Sequence, residues 1–272
     1  MLKQNFYIFS RIITDITMDK ASRNNLFTAF ALLCLICSCS KKDDSSAGDS
    51  KGENYSQQAP GKSAHDLLTA DRFTTLNIEV LYMKGYAPDG AAIEQWKEFL
   101  SSLVHKPGGI RITQTQLPAS GKEELSLNDI ISIEKKYRKS YTHDNELDVS
   151  LIYTDGGYTD PDVLGIAYRN TSICLFGKTI ATHSGNVGQV SRTKLMATVL
   201  EHESGHLLGL VNTGSDMQAD HEDREHIHHC NNQNCLMYYA AETTDILGVI
   251  ISGNIPPLDD NCRNDLKANG GQ

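Results

Sequence analysis

The chain has 272 residues, of which 39% are hydrophobic and 22% charged. That length and balance suit one globular domain, or one domain in two lobes, with enough apolar residues for a core. The formal net charge is −9, and an acidic surface argues against nucleic acid as the main partner, because phosphate binding needs a basic face.

Residues 26–36, LFTAFALLCLI, form an apolar run after Lys20 and Arg23 that is too short to span a bilayer comfortably. The run leads into CSCSKKDDSS, where the small Ser38 precedes Cys39 and the chain turns polar at once. This resembles a bacterial lipoprotein signal, which implies loss of residues 1–38 and acylation of Cys39 as the new N-terminus. Cys37 would place the bulky Ile36 at the cleavage point, and the rival reading is an uncleaved anchor. Either way the folded part lies outside the cytoplasm. The Lys41-Lys42-Asp43-Asp44 run resembles the surface-export signals of Bacteroides-type lipoproteins. The implied location is the cell envelope, lipid-anchored to the outer membrane, periplasmic or surface-exposed. Residues 39–70 are rich in Ser, Gly, Lys and Asp and read as a flexible tether.

The domain is expected from Asp71, with an upper lobe over 71–210 and a lower lobe over 211–272. Residues 74–83, TTLNIEVLYM, alternate like a strand. Residues 91–105 carry Ile93, Trp96, Phe99, Leu100, Leu103 and Val104 at helical spacing. Residues 109–117 alternate again. Residues 127–141 read as a helix capped at Ser126 or Asn128. Residues 147–153 read as a strand that Gly156-Gly157 ends. Residues 163–180 are expected to hold two more strands, and 191–210 a long helix. Strands alternating with helices predict an α/β fold (α+β), with a mixed, mostly parallel sheet and helices in the upper lobe. The tail after Leu210 has few regular signals and reads as a small irregular C-terminal lobe.

The chemistry concentrates in LEHESGHLLGL, residues 200–210. His202 and His206 are four residues apart on the expected helix, so both imidazoles leave one side and can share a zinc ion. Glu203, beside the first ligand, suits the general base that takes a proton from the zinc-held water. Six of the ten histidines lie between His202 and His229, and Gly209 offers a helix stop from which the chain can turn towards a third ligand.

HESGHLLG matches the metzincin pattern H-E-x-x-H-x-x-G, and HCNNQNCLMYY, residues 229–239, is similar to the archaemetzincin tail H-C-x-x-x-x-C-x-M. The resemblance rests on these two short blocks. It implies a metzincin-like fold, one catalytic Zn2+, Met237 as the methionine turn beneath it, and Tyr239 near the metal as an oxyanion donor. It also implies that an extended substrate lies beside an edge strand, so that Asn170 and its strand border the cleft. Two departures stand out. Asn212 occupies the position of the family's third histidine, and an apparent insertion follows Leu210. The family's second, four-cysteine zinc site ends in a C-x-x-C pair, and here only Cys262 follows Met237. A Cys230–Cys235 disulfide is then the simpler expectation, with the use of Cys174 and Cys262 open. His229, which adjoins Cys230, is expected as the third ligand, with His228, His221 and His226 as competitors. The insertion residues His221, Glu222, Asp223 and His226 read as a polar loop, a lid, or a second metal site.

The resulting expectation is a monomeric zinc metalloendopeptidase, cutting extracellular or periplasmic protein and held to the membrane by lipid. Its rivals are a metal-binding lipoprotein without activity and an amidase of cell-wall peptides.

Overall fold

Two strands buried along nearly their whole length form the centre of the sheet. In this computed structural model, which describes residues 47–251 and 253–272, strand β1 spans Thr75–Met83 and β4 spans Glu146–Tyr153. The expected signal segment and Cys39 lie outside the described residues. β1 pairs in parallel with β2 (Ile110–Leu117) on one side and with β4 on the other. β7 (Ser172–Leu175) adds in parallel to β4, and β6 (Gly165–Arg169) closes the sheet antiparallel to β7. The order is β2-β1-β4-β7-β6, with β2 and β6 at the edges. A two-stranded parallel pair, β3 (Glu124–Leu125) and β5 (Gly157–Tyr158), stands apart from it. Parallel strands need crossovers; helices supply those from β1 to β2 and from β2 to β4, whereas β4 reaches β7 by way of β5 and β6.

Alternation along the strands sorts the core into two layers. Leu76, Ile78 and Val80 of β1 join Leu147, Val149 and Leu151 of β4 on one face. Leu81, Met83, Ile152, Tyr168 and Phe176 fill the other. The first face receives helices α3 (Gly90–Ser101), through Ile93, Trp96 and Leu100, and α6 (Arg192–Leu207), through Leu195, Val199 and Leu200. The second receives α4 (Leu127–Tyr137), which begins in a capping box of Ser126 and Asp129.

The structure departs from expectation in three places. Helix α4 stops at Tyr137 rather than running to 141. Arg138 is buried there, and its guanidinium donates to Glu134 Oε1 at 2.8 Å and to the Asp148 carbonyl at 2.8 Å, which pulls the chain out of the helix. The two strands expected within 163–180 are β6 and β7, but the end of that range is instead a short helix, α5 (Gly177–His183). The third departure is the expected tether. Residues Ala47–Tyr55 form helix α1 and Ala64–Leu68 form α2, and Leu67 and Leu68 sit in the main core. Polar composition concealed this, because the segment is held largely by hydrogen bonds. Asn170, wholly buried in the β6–β7 turn, donates Nδ2 to the Tyr55 carbonyl (2.8 Å) and to Ser63 Oγ (2.7 Å), and accepts from the Gln58 amide (3.1 Å). Asn170 is therefore an anchor for the N-terminal segment and not a wall of a cleft. The folded body begins well before Asp71.

Among the described residues every strand of the sheet precedes Phe176, and the chain after α6 runs through turns, two 3-10 turns (Tyr239–Glu242 and Thr244–Ile246), α7 (Leu247–Ile250) and α8 (Asp260–Ala268). No helix among them is long and apolar enough to cross a membrane.

Candidate metal centre

Helix α6 carries the first two histidines. Ser191 caps it by accepting from the Lys194 amide at 3.2 Å, and every residue from Leu195 to Leu207 is buried. A helix this enclosed needs partners for its polar side chains. Trp96 Nε1 of α3 donates to Ser204 Oγ at 2.6 Å, which fixes the rotation of α6 against α3. Gly165 of β6 lets the helix pass close beneath the edge strand, since a Cβ there would lie 2.5 Å from Val199 Cγ1 and 3.2 Å from Glu203 Oε1. A Cβ at Gly205 would collide with Met237 Sδ, so the methionine occupies the space directly under the helix. The helix ends as Gly209 takes a left-handed φ of 81°.

The ligand atoms of His202, His206, His229 and Glu242 all lie within 4.8 Å of one another, and all four residues are buried. His202 Nε2 and His206 Nε2 are 3.2 Å apart. The His229 ring lies 5.3 Å from that of His202 and 5.1 Å from that of His206, centroid to centroid. His202 Nδ1–H donates to the Leu236 carbonyl at 2.8 Å, which orients the ring and turns Nε2 to the cluster. Burial and the neighbouring His202 and His229 rings push the His206 pKa well below the ordinary value. Three buried imidazoles turned on one point, with a carboxylate beside them, form a donor set for a single cation. Zinc suits the set, because a tetrahedral ion with bonds of about 2.1 Å separates its nitrogen ligands by roughly 3.4 Å.

Glu203 lies fully buried against β6, with the Ala167 backbone amide beside its carboxylate. Burial, and then the nearby Glu242 charge, raise its pKa well above the carboxylate range. Asn212 points elsewhere, its Nδ2 donating to Glu222 Oε2 at 3.3 Å. His228 has a left-handed φ of 70°, and its Nδ1 faces the Val211 carbonyl at 3.3 Å. Of the adjacent pair 228 and 229, only His229 enters the cluster. Tyr239 stacks on His226 of the insertion, centroids 3.7 Å apart and rings 9° from parallel, and His226 Nδ1 lies 2.8 Å from Asp223 Oδ2.

A second cluster sits beside the first. Cys230 and Cys235 are free thiols, so the expected disulfide between them is not formed. Cys235 Sγ lies instead 3.6 Å from Cys262 Sγ, far beyond a bond of about 2.05 Å. His221 Nδ1 lies 3.4 Å from Cys230 Sγ and 4.0 Å from Cys262 Sγ. Ligands about 2.3 Å from a tetrahedral ion would be roughly 3.8 Å apart, so this spacing also suits zinc. His221, Cys230, Asp259 and Cys262 form a group able to hold a metal. The surroundings agree. His221 Nε2 pairs with Asp265 Oδ2 at 2.7 Å, the carboxylate–histidine arrangement that orients a ligand. The Met237 and Asp259 amides each donate to Cys235 Sγ at 3.4 Å, and the neighbouring Cys230 and Cys262 thiols draw the Cys235 pKa below the ordinary value.

Glu242, Asp265 and the pairing of His221 with the cysteines escaped the sequence reading. The histidine content of the insertion was the only signal for the last, and none exists locally for the other two.

Among solved structures the chain is similar to archaemetzincin from Methanopyrus kandleri, with 16% identity and a TM-score of 0.48, covering 72% of this chain and 96% of that one. It is also similar to metalloproteinase-II from Bacteroides fragilis, with 14% identity and a TM-score of 0.38, covering 80% of this chain and 60% of that one. Likenesses this faint describe a shared outline and assign no residue a role. No family model matches the sequence, and no curated protein does.

Proposed function

We propose that the chain is a zinc-dependent endopeptidase in which His202, His206 and His229 hold the ion and Glu203 is the general base. The observation that carries this reading is the convergence of three buried imidazoles on one point, with Glu203 on the same helix as two of them. When bound, the ion supplies a Lewis acid for the scissile carbonyl. The residues of the chain do the rest. Leu236 holds His202 in one orientation. Glu203 takes the proton of the attacking water and passes it to the leaving amine, and its dry surroundings strengthen its hold on that proton. The edge strand β6, which runs past Glu203, is a template for an extended peptide. Tyr239 would donate to the oxyanion from the rim once it leaves its stack on His226.

The test is cleavage of an unfolded protein by the full chain, lost with a chelator and restored by zinc. Zinc-loaded protein with the histidine site filled and no cleavage of unfolded protein or cell-wall peptide would overturn it. A non-catalytic metal-binding role is the second reading, and one observation favours it: the carboxylate of Glu242 already faces the three imidazoles.

We place the enzyme in the cell envelope on the lipoprotein-like sequence around Cys39. Cys39→Ala should abolish detergent partitioning, and unchanged partitioning would remove the anchor from this reading.

A further inference from the structure

Glu242 ends the 3-10 turn Tyr239–Glu242, and its side chain reaches back under α6. Its Oε2 lies 3.7 Å from His202 Nε2 and 4.0 Å from His206 Nε2, and its Oε1 lies 3.5 Å from His229 Nε2. These separations exceed a charge-assisted hydrogen bond of about 2.8 Å, and the shortest, 3.5 Å to His229, is close to the roughly 3.4 Å edge of a tetrahedron around a shared ion. The orientation agrees, because the Leu236 carbonyl holds His202 Nδ1 and so aims Nε2 at the carboxylate. A buried carboxylate facing three imidazoles is a set of four ligand atoms for one cation.

We propose that Glu242 is the fourth ligand of the ion held by His202, His206 and His229. The resting site is then closed, and Glu242 must withdraw before a substrate is cut. A catalytic zinc keeps one position open for water, whereas a zinc with four protein ligands is closed. The ligation stands by itself, and its consequence for turnover rests on the peptidase reading.

The turn is held in this position by its neighbours. The Glu242 carbonyl accepts from the Leu164 amide at 2.8 Å, and the Thr244 amide donates to the Asp162 carbonyl at 2.9 Å. Val163 and Thr243 form an antiparallel bridge between them. Those partners immediately precede β6, so the closing carboxylate is tied to the strand along which a peptide would lie. Opening is a local event, the release of one short turn from the entry to β6, and needs no movement of α6 or of the sheet.

The test is azide binding to the cobalt-substituted full chain, followed by difference absorption, with zinc affinity measured in parallel. Only a cobalt ion with an exchangeable position responds to azide. The parent should respond weakly. Glu242→Ala should respond at azide concentrations about tenfold lower or less, and should bind zinc at the histidine site about tenfold more weakly or worse, since even partners one step removed from a metal are worth that much. Glu242→Gln preserves the packing and should show the same direction. Asp245→Asn, which removes a neighbouring carboxylate outside the cluster, should behave as the parent. Equal azide response and equal zinc affinity in parent, Glu242→Ala and Glu242→Gln would overturn the proposal. If Glu242→Ala opens the site and speeds cleavage, both the ligation and the peptidase reading hold. If it opens the site and nothing is cleaved, the ligation holds and the peptidase reading falls.

Discussion

Met237 Sδ occupies the volume that a side chain at Gly205 would need, so the methionine and the helix that carries His202 and His206 are packed with no slack between them. Gly205→Ala should therefore destabilise the protein by about 1–3 kcal/mol through overpacking. Combining it with Met237→Ala should cost less than the sum of the two single changes, because the shortened residue 237 gives the new methyl its space. Chemical denaturation of the four proteins measures the coupling, and strictly additive costs would show that the two residues do not share that volume.

Glu203→Gln keeps the size of the side chain and removes the base. Zinc content at the histidine site should be unchanged, while hydrolysis should fall by about 10²–10⁴, the span typical of a lost general base. Parental turnover in this variant would assign proton transfer to another group.

His229→Ala should lose the ion from the histidine site, whereas Asn212→Ala and His228→Ala should retain it, because both of those side chains are turned towards the insertion and the end of α6. Metal stoichiometry by elemental analysis, read beside zinc affinity, decides this. Retention of the ion by His229→Ala would send the third ligand back to the insertion.

The sulfur cluster predicts a second zinc. The full chain should carry two ions, and His221→Ala should carry one. Asp265→Asn should weaken the second ion by about 10–100-fold, as expected for the partner that orients a ligating histidine. Cys230 and Cys235 should resist alkylation until a chelator is added. A peptide cross-linked through Cys230 and Cys235 in the mature protein would restore the disulfide.

Asn170→Ala should free the segment around Gln58 and Ser63. Three hydrogen bonds end on that one buried side chain, and orphaning their partners costs about 1–3 kcal/mol. Faster amide exchange confined to residues 55–63 would be the signature, and Leu68→Ala should be worse, at about 2–5 kcal/mol, because it opens a core cavity.

The sequence carries some of these features and conceals others for physical reasons. β1 was expected over 74–83 and spans Thr75–Met83, because its two-residue alternation is set by burial on the two sheet faces. α6 was legible for the same kind of reason, with Ser191 as its cap and Gly209 as its stop. Glu242 left no trace, since a single glutamate after YYAA has no periodic pattern and acquires its place only when the turn folds back under α6. The sulfur cluster was hidden for a related reason. Cys230 and Cys235 are near in sequence, which favours reading them as a pair, but their partners Cys262 and His221 come from 27 residues beyond Cys235 and from nine before Cys230. The N-terminal segment misled because hydrogen bonds to one asparagine do the holding that composition looks for in apolar residues.

His229 and Cys230 are consecutive, and Leu236, whose carbonyl fixes His202, stands next to Cys235. Each cluster is thus splinted by the other through a single peptide unit on either side. Loading of the sulfur cluster would set the backbone from which His229 projects and to which His202 is hydrogen-bonded, and by linkage an ion among the histidines would tighten the cysteines in return. Coupling of this kind would show as a higher zinc affinity at either cluster once the other is filled, and as equal affinities if the two backbones move independently.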